Sequence, residues 1–478
     1  MRFTLLSAGL KVAVVTYGLT QWLFVGTSQA QAPNLQKMTA EERTVYMNRM
    51  REASQADWQK MMDKVSVKLP ALPPPADDSK RPQHLKAKEG SNNWYDEANN
   101  NHVRSGWGNW TNYDEANANN YILPNPLKLK NGKAVTDANT WWKQRRPEIL
   151  HDYQTEIYGK TPANTPTVTF AAVGADSTVL NGKATRKTIT GRIDNRRYPT
   201  ATPSIPITYY RPVNASGKIP MMVVVWGSFP QPMAGIEKLI DAGWAVATVN
   251  TGAIQLDSGA GLHEGIIGLM NGGQDRKPDE WGVLAAWSWG LSRVLDHFEK
   301  DAGINSSQIG IQGHSRWGKT ALLAAALDPR WAIVFASCSG SMGASLEKRN
   351  YGEVVDNVAG SGLYHWMAGN FLKYAGNWTA MPVDAHELMA LIAPRPLFIT
   401  GGTKDQWADP KGEFLACVGV SPVYELLGKK GIETTEMPAP DVALINGEIA
   451  FRNHEGGHVD ILDWPVFLEF AQKQFKLK

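Results

Sequence analysis

The chain has 478 residues, 43% of them apolar, which is enough to bury a sizeable core and excludes a disordered chain. Its 49 Lys and Arg against 46 Asp and Glu leave a net charge of +3, so nothing electrostatic favours nucleic acid or an anionic membrane surface as the main partner. Two cysteines, Cys338 and Cys417, are too few for a disulfide scaffold and are expected to be buried as small apolar side chains.

The first 32 residues carry Arg2 and Lys11, an apolar run from Val12 to Val25, and small residues from Ser28 to Ala32. That order is a secretory signal, cut after Ala30 or Ala32. The run is shorter than the roughly 20 residues a membrane span needs, and Gln21 interrupts it. The mature chain is therefore expected outside the cytoplasm, periplasmic or secreted, and off the membrane.

Residues 33–110 read as a helix, a linker and an arm. Met38 to Val65 has few helix breakers, and Leu69-Pro70-Ala71-Leu72-Pro73-Pro74-Pro75 ends it. Tyr95-Asp96-Glu97-Ala98-Asn99 recurs once as Tyr113-Asp114-Glu115-Ala116-Asn117. A single echo is no solenoid, and its acids lack the ligand spacing of a calcium loop, so they are expected on the surface.

From about Val135 strand-like runs alternate with helix-like ones. Thr167 to Tyr210 holds alternating runs without helices between them, as antiparallel edge strands do. Met221 to Trp226, Ala245 to Val249 and Pro396 to Thr400 read as buried strands, and Trp281 to Phe298 as a long amphipathic helix. Strands alternating with helices give an α/β fold with a mostly parallel, doubly wound sheet.

Between a predicted strand, Gln308 to Gln312, and a predicted helix, Thr320 to Leu327, lies Gly313-His314-Ser315-Arg316-Trp317-Gly318-Lys319. A serine on such a strand-to-helix turn stands clear of the sheet beside the next residue's N–H, a nucleophile's position. The alternative is a tight turn that merely contains a serine, and Trp317 sits where G-x-S-x-G has its second glycine. A nucleophile here needs a carboxylate and then a histidine later in the chain. Asp405 and Asp409 both follow the strand ending at Thr400; Asp405, nearer the strand, is preferred, either being alternatively a loop cap. His458 follows Gly456-Gly457, which would let a loop bring its ring to Ser315, and is preferred over His454. His454 to His458 also spells H-E-x-x-H, but two glycines inside the required helical turn argue against a zinc site.

The heptapeptide around Ser315 resembles the G-C/H-S-R-x-G-K nucleophile motif of the glucuronoyl esterases, carbohydrate esterase family fifteen, displaced glycine included. Further segments agree in order: Trp281-Gly282 with Trp289 to Arg293, Arg349 with Gly352-Glu353, Leu391 to Pro396, and Trp407 to Pro410 with Gly412-Glu413-Phe414. The resemblance runs from about Tyr113 to the end. It implies an α/β-hydrolase fold over 111–478 and a serine esterase that cleaves the bond between glucuronic acid branches of xylan and lignin alcohols. It implies Ser315 as nucleophile, His458 as base, Arg316 as a side-chain donor to the oxyanion, Lys319 and Glu353 as sugar-hydroxyl ligands, and Trp407 packing nearby. Many members carry the acid as a Glu where this chain has Cys338, which leaves the role to Asp405; Met342 also replaces a usual glycine. No metal or cofactor is implied, the partner is a polysaccharide or small ester, and a monomer is expected. The rival expectations are an acetyl-removing esterase of the same fold and an inactive carbohydrate-binding protein.

Overall fold

The computed structural model describes residues 38–69, 86–87, 94–96, 101–102, 111–227 and 233–477. The expected signal segment and the proline run from Pro70 lie outside these residues. Ten strands form one sheet: β1 (Val168–Val179), β2 (Ala184–Ile193), β3 (Ser204–Pro212), β4 (Ile219–Trp226), β5 (Ala245–Asn250), β6 (Ile304–His314), β7 (Ile333–Ser337), β8 (Leu397–Gly402), β9 (Ala443–Leu444) and β10 (Ile449–His454). Their spatial order is β9-β10-β8-β7-β6-β4-β5-β3-β2-β1. The six strands from β10 to β5 are parallel, while β3, β2 and β1 add antiparallel at one edge and β9 at the other.

Composition explains the layering. Central strands such as β7, Ile-Val-Phe-Ala-Ser, are buried along their whole length, as parallel strands covered on both faces must be. On one face lie α3 (Val283–Phe298), α4 (Arg316–Leu327) and α5 (Pro410–Leu426). On the other, α2 (Met233–Asp241) and α6 (Trp464–Phe475) pack Ile236, Leu239, Trp464, Phe467 and Phe470 against Trp244, Phe335 and Phe398. Each fully buried ring of this kind contributes roughly 1.5–3 kcal/mol of transfer free energy. The α/β-hydrolase expectation thus matches the observed three layers.

One expectation changes. The stretch to Phe298 was expected to be amphipathic, yet α3 is buried all round from Val283 to Leu291. Its outer side is covered by loops: Ile254 lies where any side chain on Gly290 would stand, Gln255 accepts from the Trp287 indole at 2.8 Å, and Gly282 lies under the Trp366 carbonyl. Asp114 and Glu115 are exposed as expected, and Glu115 pairs with Arg349 and, at 2.8 Å, with Lys411.

α1 (Ala40–Lys64) opens with a Thr39 and Glu42 capping box and buries only Ser54, Trp58, Met61 and Met62, a single i, i+4, i+7, i+8 stripe laid on the body. No helix among the described residues is long and apolar enough to cross a membrane. Register then sets the site: His314 of β6 pairs with Ser337 of β7, Ser337 with Thr400 of β8, and Gly402 with His454 of β10. The carboxyl ends of four neighbouring strands therefore form one rim.

Candidate active site

Ser315 occupies the turn between β6 and α4 at φ 59°, ψ −129°. A non-glycine residue there costs about 1–3 kcal/mol and persists only where its surroundings enforce it. They do so here through glycine. A Cβ on Gly313 would lie 1.9 Å from the Trp317 carbonyl oxygen, and one on Gly318 would lie 3.0 Å from Ser339 Cβ. Gly318 thus fills the close-packing role although it stands one position late. Trp317 turns under the site, its indole N–H donating to the Thr251 hydroxyl at 3.1 Å beside Gly227, at the end of β4.

His458 Nδ1 donates to Asp405 Oδ2 at 2.6 Å; the histidine is largely exposed and the aspartate buried. The two loops meet through glycine too, since Gly402 has the Gly457 and Gly456 carbonyls where a Cβ would be. Lys404 N–H donates to Gly456 O at 3.0 Å. His454 is fully buried: its Nδ1 accepts from Gly456 N–H at 3.0 Å, so its Nε2 donates to Val459 O at 2.9 Å. It pins the loop that presents His458. The H-E-x-x-H letters fall on a strand end and a loop, so the helical face a zinc site needs is absent from this segment.

Asp409, the other candidate acid, is fully buried elsewhere. It caps α5 through Gly412 N–H at 3.0 Å and takes Arg349 Nε at 2.9 Å and the Ser345 hydroxyl at 3.2 Å. Burial pushes its carboxyl up to about 6 despite Arg349. Cys338 follows β7 at φ 47°, 2% exposed, with its sulfur within 4.8 Å of the Asp405 and His458 donor atoms. Cys417 is buried and unpaired, as expected.

Arg316 reaches sideways from Ser315. Its guanidinium donates to Asp257 Oδ2 at 2.6 Å and lies 5.1 Å from the Trp366 ring centre. The other Asp257 oxygen accepts from His365 Nε2 at 3.0 Å and Trp366 Nε1 at 2.7 Å. Burial opposes charge on Asp257, but these hydrogen bonds and the Arg316 charge prevail and hold its carboxyl well below the usual range. Lys319 is buried, and its ammonium meets Ser339 O at 2.6 Å, Ser341 O at 2.5 Å and Glu353 Oε2 at 2.7 Å. All three of its N–H groups therefore have acceptors within the chain. Glu353 N–H donates to Trp407 O at 2.7 Å, which ties it to the loop that carries Asp405, and Trp407 is half-buried there.

Sequence reasoning missed Asp257, Trp366 and His314. The His314 ring lies 4.4 Å from the His458 ring, and burial, reinforced by the His458 charge, lowers its pKa to about 3, so it stays neutral. Its place directly before Ser315 was a usable signal. Asp257 and Trp366 lie on loops with no motif that singles them out. Met342 sits at φ 56°, a conformation that explains glycine's suitability there, and is held by its N–H to Glu347 and by Tyr158 O–H to its carbonyl.

Residues 202–428 match the family model described as glucuronyl esterase, fungi. The carbohydrate esterase MZ0003, from an unknown prokaryotic organism, is 32% identical over 391 residues, covering 73% of this chain and 89% of that protein. The 4-O-methyl-glucuronoyl methylesterase 1 of Wolfiporia cocos is 30% identical over 327 residues, covering 65% of this chain and 73% of its own. Among solved structures, a CE15 glucuronoyl esterase from Teredinibacter turnerae superimposes with a TM-score of 0.76 at 34% identity, over 88% of this chain and all of that one. A hydrolase sheet, a strained serine elbow and these relatives agree, and the chain belongs to carbohydrate esterase family 15, the glucuronoyl esterases.

Proposed function

We propose that the protein is a serine esterase that cleaves the ester between a glucuronic acid branch of glucuronoxylan and a lignin alcohol, using Ser315, His458 and Asp405. The observation that carries this reading is the 2.6 Å bond from His458 Nδ1 to buried Asp405 on the rim that also holds the Ser315 elbow. The name of the Wolfiporia cocos relative, a glucuronoyl methylesterase, supports the uronate as the acyl part.

Asp405 fixes the Nδ1–H tautomer, leaving His458 Nε2 to take the Ser315 proton as Oγ attacks the ester carbonyl. The developing oxyanion meets the Arg316 backbone N–H at the start of α4 and the Arg316 guanidinium, a charged donor in a partly enclosed site. His458 then returns its proton to the departing alcohol, which leaves the glucuronoyl group on Ser315. Water activated by the same imidazole releases the acid. Glu353 and Trp407 supply the sugar wall, and Lys319 orients Glu353; for Lys319 to meet a sugar hydroxyl itself, it must give up one of its three acceptors. The N-terminal segment supports export to the periplasm or beyond.

The test is turnover of benzyl glucuronate and of acetylated xylan by purified protein. The glucuronate is expected to be strongly preferred, and Ser315→Ala to lower its turnover by roughly 10⁴-fold or more. Preference for acetate, or a Ser315→Ala protein that keeps its rate, overturns the reading.

A further inference from the structure

Arg316 carries a long side chain with many rotamers, and its value to an oxyanion depends on being held before the reaction begins. Asp257 and Trp366 are what hold it, and neither sits on the sheet. Asp257 lies on the loop after β5, and Trp366 in the short turn Tyr364–Trp366 beyond β7. Helix α1 fastens both loops.

The Ser54 hydroxyl hydrogen-bonds the Ser258 hydroxyl at 3.2 Å and accepts from Ala260 N–H at 3.0 Å, gripping the chain directly after Asp257. The Tyr364 hydroxyl donates to Asp57 at 2.5 Å, two residues before Trp366, and the Trp58 indole donates to Ala359 O at 2.9 Å on the same loop. The fit is close: a Cβ on Gly259 would stand 2.6 Å from the Tyr364 hydroxyl and 3.1 Å from Ser54 Cβ, and one on Gly369 would stand 2.2 Å from Met61 Sδ. Three of the four buried residues of α1, Ser54, Trp58 and Met61, meet these loops or the turn that follows at Gly369.

We propose that Asp257 is a positioning residue for Arg316, and that α1 sets the arginine at the oxyanion by clamping the two loops that bear Asp257 and Trp366. The N-terminal helix is thereby a working part of the esterase site rather than a tether. This rests on Arg316 acting as the oxyanion donor.

The experiment measures kcat and KM on benzyl glucuronate with the full chain, alongside the melting temperature. Arg316→Ala is expected to lower kcat by about 10²- to 10³-fold. Asp257→Ala is expected to lower it about 10- to 100-fold with KM changed less than about twofold, and to cost nothing further when added to Arg316→Ala. Trp58→Ala and Tyr364→Phe each lower kcat about two- to tenfold, an effect that vanishes in the Arg316→Ala background. Tyr364→Phe, which removes one hydroxyl, keeps the test open if Trp58→Ala does not fold. Wild-type kcat in Asp257→Ala with a slow Arg316→Ala overturns this inference alone, as do losses that add, or Trp58→Ala and Tyr364→Phe proteins that lower only the melting temperature. Wild-type kcat in Arg316→Ala removes the oxyanion role, and this inference with it.

Discussion

Two aspartates four residues apart have unrelated jobs, and the difference is burial and partner. Asp405 is buried with its carboxylate turned to an exposed histidine, whereas Asp409 is sealed against Arg349, Ser345 and the first turn of α5. Asp405→Asn is expected to leave the melting temperature nearly unchanged and lower kcat on a glucuronate ester by about 10⁴-fold, because the amide imposes the wrong tautomer on His458. Asp409→Ala is expected to do the reverse, costing roughly 1–3 kcal/mol in denaturant unfolding, because Arg349 keeps Glu115 but loses its buried carboxylate and α5 loses its cap. Equal losses of turnover in folded samples of both variants would refute this division. Cys338, where the resemblance leads one to expect a Glu, has no carboxylate chemistry: burial, with the charges of Asp405 and Glu413 nearby, pushes its thiol well above its ordinary value.

At the scale of elements, the elbow shows how a turn that lacks the second glycine of G-x-S-x-G still closes. The requirement is absence of a side chain where α4 passes over β6, and Gly313 and Gly318 satisfy it while Trp317 fills the space by Gly227 and Thr251. Gly313→Ala forces backbone apart at a contact of 1.9 Å, so it is expected to destabilise by about 3 kcal/mol or more and to abolish turnover. A soluble Gly313→Ala protein with wild-type melting temperature would contradict this packing argument. The same logic explains α3, whose sequence suggested a polar side that the surrounding loops cover instead.

At the scale of the molecule, this fold buries an unusual set of carboxyls. Glu347, Glu387 and Glu413 are all raised to about 8, each chiefly by burial. A carboxyl raised in the folded state contributes stability while protonated, fully so below 4.5 and progressively less as pH rises through 8. His314, lowered to about 3, acts in the opposite sense but only below 6.5. The melting temperature is therefore expected to fall between pH 6.5 and about 8.5, and Glu413→Gln, which cannot ionise, to flatten that fall. An unchanged decline in the Gln variant would show that Glu413 is ionised throughout this range.

The alternation of apolar runs determined the parallel sheet and its antiparallel edge, because strand and helix periods are local properties of the chain. The serine turn, the aspartate after β8 and the histidine behind a glycine pair were legible for the same reason, each lying at a strand's carboxyl end. What was not legible depended on long-range meetings. Arg316 and Asp257 are 59 positions apart and Lys319 and Glu353 are 34, and no pattern in either segment announces its partner. The resemblance supplied Lys319 with sugar hydroxyls, while packing gave it two carbonyls and a carboxylate. Sequence settled which groups reach the rim, since strand order and turn chemistry are written locally. Only the tertiary structure decided which charges are spent on one another, because that depends on which loops the folded body, α1 included, presses together.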